Sequence, residues 1–289
     1  MKTHEAEYVA SLYKGNNILG ISLLSISVTA VLLAMFIFSS FVSLQNVRTL
    51  LLKHLLVAFL FEDFLTLIQQ ALVYLARKMK VPDIRCFFKS TAFCETLLVL
   101  SKYTSLTSLT WVLVLVVYQW RNTKPWYNGN RGRALICAVG WMFSCVPTVA
   151  WTVILALTHK GKCWNGHLSM SSIWIIEGPK FGLLFLILLF LMITMWKLFD
   201  RKREIINIDE VLRKRAQLRQ CMCVFVWICV GQVTYIVSAH APLQLDIRSL
   251  AAWSYVVTML MSSKGFVVSI CFCFLESDVR DALKSPITT

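Results

Sequence analysis

Charged residues are scarce in this chain, and long polar stretches are almost absent. Asp, Glu, Lys and Arg make up 15% of the residues, whereas a soluble globular protein carries about 25%. Proline is also sparse, with 6 residues, so few breaks are expected inside helices. Together with a mean hydropathy of +0.67, these shortages exclude an ordinary soluble domain and predict an integral membrane protein.

Side chains arranged for catalysis or metal binding are also missing. The 5 histidines are dispersed, and no nucleophile–base pair or zinc-type Cys/His spacing is legible. The 10 cysteines lack the dense spacing of a disulfide scaffold. The sequence therefore predicts no enzyme, no cofactor and no metal site.

What the chain does contain is seven apolar stretches, and each has the roughly 20 residues that a helix needs to cross a hydrocarbon core about 30 Å thick. We call them the first to seventh spans, at 17–42, 50–76, 94–120, 133–157, 172–197, 221–242 and 249–274. Only closed hydrogen bonding satisfies a backbone in lipid, so each span is predicted to be a helix. The predicted fold class is an all-α membrane protein with a seven-transmembrane-helix bundle.

The net charge of +14 has two interpretations. One is nucleic-acid binding; the other, which we favour, is that Lys and Arg collect in cytoplasmic loops and set the topology. More of them lie in the loops opposite the N-terminus than on its own side. We therefore predict a multi-pass plasma-membrane protein with an extracellular N-terminus and no nucleic-acid partner.

The predicted organisation has three parts: a short extracellular N-terminus at 1–16, a seven-helix membrane domain at 17–275, and a short cytoplasmic helix and tail at 276–289. Residues 1–16 are polar, so we expect no cleavable signal peptide and assign the insertion signal to the first span.

Six short motifs follow one another along the chain. The central one is Cys163-Trp164, followed by Trp174-Ile175-Ile176-Glu177-Gly178-Pro179. The others are Gly140-Trp141 with Trp151, Cys94 with Tyr103 and Trp111, Ser263-Lys264-Gly265-Phe266, Cys273-Phe274-Leu275-Glu276, and Gly20, Ser22 and Ser25 with Arg48. In this order, from about Tyr13 to Leu283, the chain resembles the secretin family, class B of the G-protein-coupled receptors.

That resemblance implies a peptide hormone or neuropeptide ligand and a heterotrimeric G protein as partner. Membrane lipids are expected as further partners because of the basic cytoplasmic stretches, and a receptor dimer is kept as an alternative. The resemblance also implies a disulfide between Cys94 and Cys163, which would pin the second outer loop to the third span. The alternative is that the two thiols are unrelated.

The resemblance further implies a ligand-binding set at the outer cavity: Glu62, Lys102, Tyr103, Ser108, Trp164 and Lys264. The family usually places Arg and Gln where this chain has Glu62 and Lys264, so we predict a charge-swapped ion pair across the bundle. Lys102 could compete for the acid, and Asp63 for a base. The alternative is that each charge faces a wet cavity.

A second set is expected to face a transducer: Arg48, Arg121, Arg201, Arg213, Arg219 and Glu276. Basic and aliphatic residues alternate over 201–219, which suits either a transducer or anionic lipid. The basic loop 77–89 suits either lipid headgroups or the docking of an acidic peptide.

Several departures from the family concern signalling. Its buried polar switch corresponds here to Leu52, Leu115, Cys223 and Phe272, and its sixth-span proline corresponds to Ile228. The large extracellular hormone-binding domain has no counterpart, which reflects either recognition by the cavity alone or a truncated sequence.

The predicted function is therefore a secretin-like receptor that senses a peptide or small molecule in its outer cavity and signals to a G protein. The alternative is a receptor-like decoy or dimer partner with weak or no coupling. A transporter is a further class, although no internal repeat is legible.

Overall fold

The structure, a computed structural model, describes residues 2–41, 46–78, 91–121, 130–158, 164, 171–200, 208–240 and 247–284. These residues are almost entirely helical and contain no strand. The helices are α1 (Lys2–Ser40), α2 (Val47–Lys78), α3 (Thr91–Arg121), α4 (Asn130–Met142), α5 (Cys145–Thr158), α6 (Trp174–Asp200), α7 (Ile208–His240), α8 (Ile247–Ser262), α9 (Lys264–Ser269) and α10 (Ser277–Lys284). A 3-10 turn, Ser171–Ile173, precedes α6, and a π-helical turn, Ile270–Phe274, follows α9.

Most of the predicted spans are long and apolar enough to cross a membrane. Five helical stretches qualify, and the bent pair Ser249–Ser262 and Lys264–Phe274 makes a sixth. The remaining predicted span is the 32-residue α2, which carries Glu62 and Asp63 near its middle. It packs between α1 and α3, so it belongs to the bundle.

Two helices begin earlier than predicted. The helix of the first span starts at Lys2 and that of the sixth span at Ile208, rather than near 17 and 221. Hydropathy marks only the apolar part of a helix, and polar residues can continue the helix beyond it. Residues 2–16 therefore continue the helix of the first span.

Two spans are interrupted where a single helix was predicted. In the fourth span, α4 ends at Met142 and α5 starts at Cys145. Pro147 has no N–H to bond to the carbonyl of Phe143, which accounts for this break.

The seventh span bends by 43° between α8 and α9. At the bend the backbone N–H of Phe266 donates to Ser27 Oγ of α1 at 2.8 Å. A side chain inserted into a helix ladder in this way produces a kink without proline. The expectation of few breaks therefore holds for the continuous α7 but is wrong for the seventh span.

The apolar core contains most positions where a polar switch was expected to be lost. Leu52, Leu115 and Phe272 are buried together in one cluster, which also contains Ile228. Cys223, by contrast, is exposed. Close packing therefore replaces a polar network at three of the four positions.

Candidate functional site

Glu62 lies at the centre of a buried polar cluster that joins three helices. Lys264, at the start of α9, forms an ion pair with Glu62 Oε1, and Ser108 Oγ of α3 donates to Glu62 Oε2 at 2.7 Å. All three side chains are buried. The ion pair expected from the sequence is therefore present, and both carboxylate oxygens are bonded.

Asp63, the next residue of α2, is held by a different partner. Its Oδ2 accepts a hydrogen bond from Ser27 Oγ at 2.5 Å. Ser27 in turn accepts the Phe266 N–H at the bend of the seventh span. Asp63 therefore connects α2 to α1 and to the bend.

A second buried cluster forms around Glu177, near the start of α6. Lys180 Nζ lies 3.1 Å from Glu177 Oε1, and Lys102 Nζ of α3 lies 3.4 Å from the same oxygen. Lys102 Nζ also lies 5.7 Å from the ring centroid of Tyr235 on α7, within cation–π range. Lys102 therefore pairs with Glu177, and the expected competition for Glu62 is not what the structure shows.

The charges of this second cluster do not balance. One carboxylate serves two lysines, and among the described residues Glu177 Oε2 has no hydrogen-bond partner. A buried charge is stable only when it is paired and bonded. With all three side chains ionised, the cluster has a formal excess of one positive charge.

Neither Lys180 nor Tyr235 is among the site residues predicted from the sequence, and Glu177 is named there only as part of a motif. Glu177 and Lys180 are three residues apart in an otherwise apolar span. Ionisable residues at membrane depth are by default functional candidates. That signal was present, whereas the Tyr235 contact depends on how α3 and α7 pack.

A cleft opens beside the second cluster, between α1, α7 and α8. Its volume is about 530 Å³, a size typical of small-ligand sites. Polar atoms without a partner in the described chain, Asn16 Oδ1 and Trp253 Nε1, belong to lining residues. Tyr235 also lines the cleft, so the same ring contacts the cavity and Lys102.

Two predicted ligand-binding residues lie away from both clusters. The Tyr103 hydroxyl donates to the Trp141 carbonyl oxygen at 3.1 Å, at the contact of α3 with α4. Trp164 packs edge-on against Trp151, with ring centroids 6.1 Å apart, in a separate apolar core with Ile173. The structure therefore brings together Glu62, Lys264 and Ser108, and places Lys102 in the second cluster.

The predicted disulfide is only partly within the described residues. Cys94 lies near the start of α3 and is disulfide-bonded. Cys163 lies outside the described residues, so the pairing of these two cysteines stays a prediction.

At the opposite end of the bundle, Arg48 and Glu276 form a two-pronged ion pair. Arg48 Nη1 and Nη2 lie 2.6 and 3.2 Å from the two Glu276 carboxylate oxygens. Gln220 and Gln217 of α7 contact Arg48 and Glu276 respectively, each at 3.4 Å. This Arg48–Glu276 cluster joins α2 and α7 to the residue that precedes α10.

The other predicted transducer-facing residues are more open. Arg121, Arg213 and Arg219 are exposed, whereas Arg201 lies outside the described residues. The described residues contain no group of three His, Cys, Asp or Glu side chains able to hold a metal ion.

Neutralising Arg48 should destabilise the fold by about 1.5–3 kcal/mol, the range for hydrogen bonds to charged groups. The variants Arg48→Gln and Glu276→Gln, measured singly and together in thermal melts, form a double-mutant cycle. We expect the double variant to lose less than the sum of the singles. Strict additivity would contradict a coupled pair.

Lys102→Met should change thermal stability by less than about 1 kcal/mol, because Glu177 keeps Lys180 at the shorter distance of 3.1 Å and the repulsion between two buried lysines disappears. Lys180→Met is the matched comparison and should cost more. Melts in the same detergent compare the two, and a larger loss for Lys102→Met would contradict this account.

Known receptors are similar to this chain over most of its length. Residues 16–268 match the model of the family described as 7 transmembrane receptor (Secretin family). The chain is 26% identical to the PDF receptor of Drosophila melanogaster over 92% of its own length and 40% of that receptor. It is 23% identical to the diuretic hormone receptor of Acheta domesticus, with 90% and 58% covered, and 23% identical to corticotropin-releasing factor receptor 1 of Xenopus laevis, with 90% and 60% covered. The chain thus spans about half the length of these relatives.

Proposed function

We propose that this chain, which belongs to the secretin family of seven-transmembrane receptors, senses a peptide in its outer cleft and signals to a heterotrimeric G protein. The members of this family are receptors and not enzymes. The proposal includes a plasma-membrane location with the N-terminus outside. The relatives that carry a hormone's name support the peptide ligand. The predicted seven-helix bundle is the architecture of this family.

The observation that carries the proposal is the unbalanced second cluster beside the cleft. Lys102 and Lys180 share one carboxylate, and the Tyr235 ring that lines the cleft has its centroid 5.7 Å from Lys102 Nζ. A ligand carboxylate that reached past Tyr235 would complete the charge balance in a site of low dielectric. We therefore infer a peptide, or a small molecule, that presents an acidic group to the cleft.

The Arg48–Glu276 cluster supports a transducer-binding site at the end of the bundle opposite the cleft. Arg48, Glu276 and Gln220 hold α7 against α2 and α10. If α7 moves outward when a G protein binds, these contacts must separate. Arg121, Arg213 and Arg219, which were predicted to face the transducer, are exposed.

A second candidate function is a receptor-like protein with weak or no coupling, acting as a decoy or as the partner in a receptor dimer. The specific observation in its favour is the apolar core at Leu52, Leu115 and Phe272. The continuous α7, with buried Ile228 where the family has proline, points the same way. Both features should make the inactive packing harder to open.

Recruitment of an engineered G-protein probe distinguishes the two functions. Surface level is normalised with an N-terminal epitope on intact cells, and staining of intact cells also tests the orientation. Basal or peptide-induced recruitment supports the receptor. A repaired variant carries Leu52→His, Leu115→Glu, Cys223→Thr, Phe272→Tyr and Ile228→Pro.

Clear surface staining without recruitment, in both the natural and the repaired chain, favours the decoy. Recruitment only after repair ties the loss of signalling to those five positions. For the ligand itself, a peptide library in matched Asp and Asn versions is suitable. The Asp versions should lose their advantage in Lys102→Met, which we expect to leave the fold intact.

A further inference from the structure

A second large cleft lies at the inner ends of the fifth and sixth spans, away from the ligand cavity. Its volume is about 600 Å³, and it lies between α6 and α7. Two arginines of α7 line it together with an apolar floor of Met195, Leu198, Leu218 and Met222. Arg215 and Arg219 are four residues apart, so they share one face of the helix.

The cleft opens on the outside of the bundle. Exposed residues of α7 recur at helical spacing: Leu212, Arg219, Val226, Val230, Val233 and Val237. An apolar exposed stripe on a membrane helix faces lipid. Arg219 continues this stripe, so its guanidinium lies on the lipid side of α7.

Neighbouring aromatic residues indicate the depth of the cleft. Trp196 is 72% exposed, next to Met195 in the chain. Lys197 Nζ lies 4.7 Å from the ring centroid of Trp120, at the end of α3. Tryptophan and lysine concentrate at the headgroup level of a bilayer. The cleft therefore lies where headgroup phosphates meet acyl chains.

The two arginines are available to an anion. No hydrogen bond or ion pair to Arg215 or Arg219 occurs within the described part of the chain. Guanidinium groups bind phosphate oxygens through two parallel hydrogen bonds. The apolar floor beside them matches an acyl chain rather than a soluble ion.

We propose that this cleft binds one anionic phospholipid, with its phosphate on Arg215 and Arg219 and an acyl chain on the floor of Met195, Leu198, Leu218 and Met222. The site is independent of the ligand cavity and does not require G-protein coupling. Because anionic lipids are enriched in the cytoplasmic leaflet, the site also agrees with an extracellular N-terminus.

Native mass spectrometry of the delipidated full chain, titrated with phosphatidylserine or phosphatidylcholine, tests the proposal. The first phosphatidylserine should bind more tightly than phosphatidylcholine. Arg215→Gln with Arg219→Gln should weaken it about thirtyfold. The matched control removes two exposed charges at the same end but outside the cleft, Arg213→Gln with Arg280→Gln, and should leave the first binding step unchanged.

Two further comparisons test the apolar floor and the headgroup separately. Met195→Gln retains both charges and should weaken phosphatidylserine several-fold through the floor alone. Glycerophosphoserine, which has the headgroup without acyl chains, should bind far more weakly than the lipid. Melting temperatures confirm that each variant is folded, and Arg215→Lys with Arg219→Lys, which keeps the charge, should bind with intermediate affinity.

If the control variant weakens phosphatidylserine binding by the same factor, the attraction is non-specific and the proposed site is wrong. Equal binding of glycerophosphoserine and phosphatidylserine would reduce it to a phosphate site. Unchanged lipid binding in the Arg215→Gln, Arg219→Gln variant, with loss of G-protein probe recruitment, would reassign the arginines to the transducer.

Discussion

Reversing one charge of the Glu62–Lys264 pair should destabilise the folded chain by at least about 3–5 kcal/mol, which is the cost of removing one partner of a buried pair, because reversal also places two like charges side by side. Both side chains are buried, and Glu62 Oε2 also accepts a hydrogen bond from the Ser108 hydroxyl at 2.7 Å. We therefore expect Glu62→Lys and Lys264→Glu each to abolish most of the monodisperse protein. Size-exclusion chromatography and thermal melts of a fluorescent fusion measure this without assuming an orientation.

The double reversal, Glu62→Lys with Lys264→Glu, should recover much of the folded protein. Full recovery is not expected, because the swapped pair would lose the hydrogen bond that Ser108 Oγ donates to the carboxylate at position 62. Ser108→Ala is the matched control, since it removes that hydrogen bond and leaves both charges. If the double reversal is no better than the worse single one, the two residues do not act as a pair.

The two buried clusters are built differently. In the first, Glu62 pairs with Lys264, and the neighbouring Asp63 accepts a hydrogen bond from Ser27. In the second, Lys102 and Lys180 both pair with the single carboxylate of Glu177. Because Ser108 belongs to the first cluster and Lys102 to the second, α3 is the helix that the two clusters share.

The Glu62–Lys264 pair could be predicted because both residues occupy positions that the family resemblance assigns to facing partners. Glu177 and Lys180 could have been found as charges in an apolar span. The contact of Lys102 with Tyr235 could not, because it depends on the rotation of α3 relative to α7. For the same reason Tyr103, one residue from Lys102, bonds to Trp141 instead of joining the cluster.

The two interrupted spans also differ in whether the sequence alone could predict the interruption. The sequence alone shows that Pro147 has no backbone N–H to donate, so the break between α4 and α5 could have been predicted. The bend of the seventh span has a tertiary cause, because Ser27 comes from a different helix. Hydropathy reports which segments enter lipid, but it carries no information about a side chain that inserts from a neighbour.

Gly265→Ala should have the second large effect, a loss of roughly 2–4 kcal/mol from overpacking and a disrupted buried hydrogen bond. A Cβ at this position would lie 2.6 Å from Ser27 Oγ and 3.0 Å from Val31 Cγ2, and closer still to Asp63 Oδ2. The methyl group would push α9 away from α1 and separate Ser27 from the Phe266 N–H that shapes the bend.

Gly182→Ala on α6 provides the matched control, because a Cβ there meets nothing within 4 Å. Alanine also has the higher helix propensity, so this control should keep or slightly raise the melting temperature. Adding Ser27→Ala to Gly265→Ala should recover little, because Asp63 would then lose its hydroxyl donor. Equal melting temperatures for the two glycine variants would mean that the seventh span can shift freely at its bend, and that the contact with Ser27 and Asp63 does not fix its position.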